Sequence, residues 1–209
     1  MAEDQAEPFY VALNVLRERL QLGVLGPGSR ITAMDVADEL GLSTTPVREA
    51  LSRLAGEGLV EDRRGQGYFV RALSAADIAD LYRINLAYLL IALEPRRAAR
   101  SEASTYDSLP DTDPVARLEL GFRRFIEQAG SPVLIRQFRN LQIQLGPVRR
   151  LEWRIAADLP SETTNLLARA GDALRAEWLA QLRRFHARRI RESARLAAFL
   201  EAANGGRRK

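Results

Sequence analysis

The chain contains no cysteine. This excludes disulfides, Cys-ligated zinc, iron–sulfur clusters and thiol catalysis, and it suits the reducing cytoplasm in which the chain is expected to work. Histidine is almost as scarce, with His186 the one such residue among 209. A single imidazole reads as a packing or surface residue rather than as part of a metal centre. No stretch approaches the roughly 20 apolar residues of a membrane span. The longest apolar run, Leu86 to Leu93, reads as a buried helix. The first residues are acidic (Glu3, Asp4, Glu7) instead of a basic segment leading into an apolar run, so no signal peptide is expected. There is no glycine-rich phosphate loop and no paired-carboxylate motif. The chain is therefore not expected to be an enzyme, and no catalytic residue, cofactor or membrane partner is assigned.

Positive charge in excess is also small. The formal net charge is +4, and the basic residues are nearly all Arg. Residues 1–72 hold eight Arg against eleven Asp plus Glu, while the remainder holds twenty-three Arg plus Lys against sixteen Asp plus Glu. The bulk charge of the front third does not announce a polyanionic partner. Local placement does more, because phosphate affinity depends on charges close to the backbone.

What the sequence does have is a stretch from Leu42 to Leu54 that reads as a turn and one amphipathic helix. Val47, Ala50, Leu51 and Leu54 recur at helical spacing and form a buried stripe. Thr45, Arg48 and Ser52 fall on a different face. Thr45 is expected as the N-cap, with Pro46 at the first helical position. Upstream, Met34 to Leu40 is a second short helical pattern that Gly41 closes. Helix, glycine turn and a second helix with Thr and Arg exposed is a helix-turn-helix. An earlier amphipathic helix runs from Pro8 to about Gln21. After Gly58, Leu59 to Asp62 and Tyr68 to Arg71 read as two strands joined by Arg63-Arg64-Gly65-Gln66-Gly67, a hairpin tip rich in Arg and Gly.

Nothing after residue 72 reads as a strand. Ser74 to Asp77 is a capping-box start for a helix from about 75 to 103, perturbed at Pro95. Further helices are expected from Asp113-Pro114 to near Gly130, and from Ser131-Pro132 to about Ala157 with a kink or break at Gly146-Pro147. A short one follows to Gly171, then a long one from Asp172 to Ala203. The expected fold is mainly α. Residues 1–72 form an N-terminal winged helix-turn-helix domain (three helices plus a short β-hairpin), and residues 73–209 an all-α helical bundle.

Residues 9–71 resemble the N-terminal winged-helix domain of the GntR family of bacterial transcription regulators. The signs run in order: Leu25 to Ile31 (LGPGSRI), Val36 to Ser43 (VADELGLS), Thr45 to Leu51 (TPVREAL), Leu54 to Val60 (LAGEGLV) and Gly65 to Val70 (GQGYFV). The helical half is similar in layout to the ligand-responsive FCD domain of the FadR subgroup. Local echoes lie at Asp77 to Tyr82, Phe122 to Ile126, Ala129 to Leu134 and Ala170 to Asp172, while the segment 95–115 looks trimmed by one helix.

The resemblance implies a homodimer on double-stranded operator DNA, with a small-molecule effector in the helical domain. Arg48 matches the family's motif arginine, placed to reach a guanine edge or a phosphate. Ser43, Thr44 and Thr45 at the helix start suit phosphate or base contacts. Arg53 either touches phosphate or pairs with Glu49 or Glu57. The wing supplies Arg63, Arg64, Gly65, Gln66 and Gly67, the two glycines also serving the turn itself. Thr44 and Met34 stand where the family often has Arg, so base preference is expected to differ.

Many FCD domains hold a divalent metal through one Asp and three His. The corresponding positions here are Glu119, Arg123, Ser161 and Arg183. A guanidinium cannot ligate a cation, so no metal is expected. Arg123 is instead a candidate to bind a carboxylate or phosphate effector, with Glu119 and Asn85 beside it; its alternative is an i,i+4 ion pair with Glu119. Asn85 stands where the family often has Arg. Tyr88, Trp153 and Trp178 could line a pocket or simply pack. The function expected is regulated, repressive operator binding; the alternative is a ligand-independent DNA-binding or protein-interaction module.

Overall fold

A computed structural model describes residues 7–93, 113–168 and 175–205. The N-terminal half begins with α1 (Pro8–Gln21), then β1 (Arg30–Ile31), α2 (Ala33–Leu40), α3 (Thr44–Gly56), β2 (Val60–Arg63) and β3 (Gly67–Val70). The three strands form one antiparallel sheet in the order β1-β3-β2, with Arg30 opposite Phe69 and Arg63 opposite Gly67. β1 is an addition to the two expected strands; at two residues it is too short to leave a periodic signal. The core joins Leu13, Leu16 and Leu20 of α1 to Val36, Val47, Leu51 and Leu54, and the sheet closes it with Ile31, Val60 and Val70.

The turn between α2 and α3 is tighter than the sequence suggested. Gly41 adopts φ 64°, the Leu42 amide bonds to Ala37 O at 2.9 Å and the Gly41 amide to Asp38 O at 3.3 Å. This paired closure uses up the end of α2 and leaves Leu42 and Ser43 as the only linker. α3 therefore starts at Thr44 with Ser43 at the N-cap, so Thr45 is not the cap and Pro46 is third in the helix. Proline is tolerated there because the first four helical N–H groups have no intrahelical partner.

The second half is helical throughout its described part: α4 (Ala75–Ala92), α5 (Pro114–Gln128), α6 (Pro132–Arg149), a single 3₁₀ turn (Glu152–Arg154), α7 (Leu159–Ala168), α8 (Arg175–Arg191) and α9 (Ser193–Gly205). α4 opens with a reciprocal capping box between Ser74 and Asp77. Those hydrogen bonds from Ser74 hold the Asp77 carboxyl below its ordinary pKa. Asp113 and Ser131 cap α5 and α6, each followed by proline at the helix start. The expected course of α4 to residue 103, its perturbation at Pro95, the trimmed segment and the end of the short helix at Gly171 lie outside the described residues. The long final helix is two, separated at Glu192. Phe122, Phe138, Leu145, Leu182, Phe185 and Leu196 pack at the centre of this half.

Gly146-Pro147 does not break α6, which runs through both residues. The glycine serves close approach instead. A Cβ at Gly146 would overlap the main-chain carbonyl of Gln21 at the end of α1, and Pro147 packs against Gly23 just beyond it. Arg150 Nη1 donates to the same Gln21 carbonyl at 2.9 Å, and Asn204 Nδ2 donates to Pro27 O at 2.6 Å. Ile143 of α6 is buried within the N-terminal core. The two halves are thus joined by packing of α1 on α6 as well as by the chain.

Candidate nucleic-acid interface and the buried polar centre

α3 buries Val47, Ala50, Leu51 and Leu54, and this turns Thr45, Arg48, Ser52 and Arg53 outward. The wing turn is made by Arg64, Gly65 and Gln66, with the Gln66 amide bonded to Arg63 O at 2.9 Å. Gly65 and Gly67 have φ of 73° and 94°, values that side chains strain to adopt, so both are required by the turn. Arg30, on β1, lays its guanidinium beside Gly67, 3.7 Å from where a Cβ would be.

The eight arginines of this half divide cleanly. Arg17 forks onto Glu57 at 2.7 and 2.8 Å, and Arg19 pairs with Glu39 at 2.6 Å. Arg53 bonds Glu57 at 2.9 Å, the local partner foreseen as the alternative to a phosphate contact. Arg63 is tied to Glu61 at 2.7 Å and lies 4.3 Å over the Phe69 ring, and Arg71 pairs with Asp77 at 3.2 Å. Arg30, Arg48 and Arg64 are exposed and have no hydrogen bond or ion pair among the described residues. Glu39, Glu57 and Glu61 are spent on structural arginines, and the free cations are on α3, on β1 and at the wing. The position of Arg30 beside the wing depends on β1.

The helical half carries its polarity inside. Arg149 is fully buried; it donates through Nη1 to Gln142 Oε1 and through Nη2 to Asn85 Oδ1 at 3.4 Å. Gln142 Nε2 also donates to Asn85 Oδ1, at 3.1 Å. Asn85 Nδ2 lies 2.7 Å from His186 Nε2, and His186 Nδ1 lies 2.7 Å from Leu182 O. A carbonyl can only accept, so Nδ1 carries the proton and Nε2 accepts from Asn85. His186 is neutral for a physical reason: burial pushes its pKa down to about 3, with the Arg149 and Arg189 cations acting in the same direction. Beside this chain, Arg189 donates to Glu152 Oε2 from Nε at 2.9 Å and Nη2 at 2.8 Å, and to both oxygens of Glu162. Burial opposes its charge, but the two carboxylates more than offset that, and its pKa is raised. Tyr82 donates to the other Glu152 oxygen; burial, reinforced by that carboxylate, holds its hydroxyl protonated.

This arrangement corrects the expected effector set. Asn85 is fully buried with both ends of its amide engaged. Glu119 is buried, accepts from Gln21 Nε2 at 2.7 Å, and lies 3.8 Å from Arg149 and 3.5 Å from Arg150. Arg123 faces outward and forms no pair with Glu119. α5 turns Leu118, Phe122 and Phe125 inward, and Arg123 stands about 100° around the helix from Phe122. Ser161 and Arg183 are also exposed. Of the four positions corresponding to a metal site, only Glu119 points inward, toward guanidinium groups. These residues do not fit a divalent metal, and among the described residues no group of three His, Asp or Glu is placed to hold one. Trp178 packs in the core with its Nε1 bonded to Leu166 O, and Trp153 is on the surface.

Arg149, Gln142, Glu152 and Arg189 were missed in the sequence because each sits in an Arg- or Gln-rich run that reads as solvated. Spacing held the only available signal. Gln142 and Arg149 share a face with Phe138 and Leu145, and Arg189 is four residues from Phe185.

A three-helix unit with its second helix pair joined by a glycine turn, closed by a hairpin, and presenting free arginines on both helix and wing is a winged helix-turn-helix of the DNA-binding class. Residues 12–70 match the family described as "Bacterial regulatory proteins, gntR family", and the N-terminal domain is a GntR-family helix-turn-helix domain. An uncharacterized HTH-type transcriptional regulator of Agrobacterium vitis is 37% identical over 89 residues, 43% of this chain and 49% of that protein. The alignment thus spans about half the length of that relative. The "Nta operon transcriptional regulator" of Aminobacter aminovorans is 29% identical over 157 residues, 68% of this chain and 75% of that protein. These relatives are transcriptional regulators, not enzymes. The solved structure of E. coli McbR/YncC shares the fold, with a TM-score of 0.62 at 21% identity over 96% of this chain and 100% of that chain. No described helix is long and apolar enough to cross a membrane.

Proposed function

We propose that the chain is a cytoplasmic, homodimeric transcription regulator that binds operator DNA through α3 and the wing and represses the genes it controls. Residues 1–72 act as the DNA-binding unit, and residues 73–209 as an FCD-like domain for dimerisation and effector control. The observation that carries this reading is the set of unpaired arginines, Arg30, Arg48 and Arg64, around an exposed helix start bearing Ser43, Thr44 and Thr45. Arg48 reads a guanine edge in the major groove; Arg64, with Gln66 and the backbone at Gly65 and Gly67, follows the phosphates or the minor groove. Arg53 and Arg63 reach DNA only by exchanging their glutamate partners. Two copies related by a two-fold axis place two such helices on half-sites about one helical turn apart. A small carboxylate effector acts by binding one arrangement of the paired domains better than another.

Selection from a random duplex pool at fixed salt tests the reading. The full chain is expected to enrich a two-fold-symmetric site, and Arg48→Ala to lose that enrichment at a cost of about 1–3 kcal/mol per specific contact. Binding without enrichment, unchanged by the substitution, would contradict it. A second reading, a ligand-independent module, is supported by Asn85 and Gln142, which spend both ends of their amides on partners within the bundle.

A further inference from the structure

A cavity of about 360 Å³ opens between α1 and the α5–α6 pair, a volume in the range of small-molecule sites. Its base is apolar, formed by Ile126, Phe138 and Ile143 among others. Its rim is charged in both senses: Arg123 and Arg139 on the helical side, with Glu18 on α1 and Glu127 on α5. All four side chains are exposed, and none has a hydrogen bond or ion pair among the described residues. Arg17 also lines the cleft, with Nη2 donating to both oxygens of Glu57. Two free guanidiniums, two free carboxylates and an apolar base match one ligand class: a small zwitterion with an apolar body.

We propose that this cleft between the two halves binds an apolar α-amino acid or a close analogue. The ligand's carboxylate is taken by Arg123 and Arg139, its ammonium by Glu18 and Glu127, and its side chain by the apolar base. The proposal rests on the effector reading above and moves the site from the bundle centre to the junction of the halves. Its walls belong to both. Gln21, which also lines the cleft, holds Glu119 through its side chain and Arg150 through its carbonyl. A ligand touching both walls favours the docked arrangement in proportion to its extra affinity for it, and so biases where α3 is presented.

The test is equilibrium dialysis of the full chain with L-leucine and L-phenylalanine, each against its deaminated acid (4-methylpentanoate, 3-phenylpropanoate) and its decarboxylated amine. At least one amino acid is expected to bind once per chain, more tightly than its acid or amine. Arg123→Gln with Arg139→Gln, and separately Glu18→Gln with Glu127→Gln, are each expected to weaken it about tenfold or more. These surface residues leave the cores intact, and the circular dichroism melt of each variant verifies this. No saturable binding by either amino acid, equal binding by the acid, or wild-type affinity in both double variants would overturn the proposal. Operator binding measured with and without the amino acid separates the two readings. Cleft binding with no change in operator affinity removes the effector role alone. A change in operator affinity that survives both double variants removes the cleft.

Discussion

The two halves of the chain build their interiors from different materials. From Pro8 to Val70 no polar or charged side chain is buried; the core is Leu, Val, Ile and Ala. Among the described residues, every polar or charged residue buried as a whole lies from Asn85 onward: Asn85, Glu119, Gln142, Arg149, Glu152, Thr163, His186 and Arg189. An apolar core is specified by volume and pattern, and it tolerates exchange within those limits. A polar centre is specified by matching donors to acceptors, and one misplaced group leaves several unsatisfied. The first half can therefore vary its core while keeping the surface that carries Arg48 and the wing. The second is committed to one arrangement of its helices.

Breaking the ion pair at the helical centre should have the largest effect. Arg189→Ala leaves Glu152 buried without its cation and is expected to destabilise the chain by about 3–5 kcal/mol in urea unfolding. If the chain loses less than about 1 kcal/mol, the centre is not the specified element described here. A pair of size-conserving swaps sharpens the contrast. Asn85→Leu deprives Gln142, Arg149 and His186 of a partner, at about 1–3 kcal/mol for each group left unsatisfied. Leu51→Met, equally conservative in volume but in the apolar core, is expected to cost under about 1.5 kcal/mol. Equal losses in the two variants would erase the distinction between the halves.

A further effect is one of pH. His186 has its folded pKa lowered to about 3 against an unfolded value of about 6.5. Below about pH 6.5 the unfolded chain takes up a proton that the folded chain refuses, so stability present at neutral pH is lost as pH falls toward 3. Between pH 7 and pH 5 this amounts to about 2 kcal/mol. The slope of stability against pH in this window should flatten in His186→Gln. An unchanged slope would mean that His186 does not titrate on unfolding as described.

What could be read from the sequence follows the same division. The winged half was legible because its core is apolar at helical spacing and its turns are marked by glycine. Val47, Leu51 and Leu54 gave α3, Gly41 and Gly58 ended the two helices, and Gly65 with Gly67 marked the wing. Its errors were local: two residues at the start of α3 and the short β1, neither carried by periodicity. In the helical half the starts were legible through Ser74, Asp113 and Ser131, which cap their helices directly. Its interior was not. Arg149 and Arg189 are inside because Gln142, Asn85, Glu152 and Glu162 meet them from other helices, and no local pattern encodes such meetings. Gly146-Pro147 misled for the same reason, since its purpose is contact with Gln21, 125 residues earlier in the chain. Arg123 was placed inward by resemblance, whereas the phase set by Phe122 and Phe125 turns it out. The free arginines stand between these cases: the sequence shows eight, and only the fold shows which three have no carboxylate.

The most direct test of the account is guanine-methylation interference on the selected operator, comparing the full chain with Arg48→Ala. The account predicts two symmetric clusters of interfering guanines about one helical turn apart, with one guanine per half-site ceasing to interfere when Arg48 is removed. Identical interference for both proteins, or no interfering guanine in the major groove, would contradict the central claim that α3 reads the DNA sequence through Arg48.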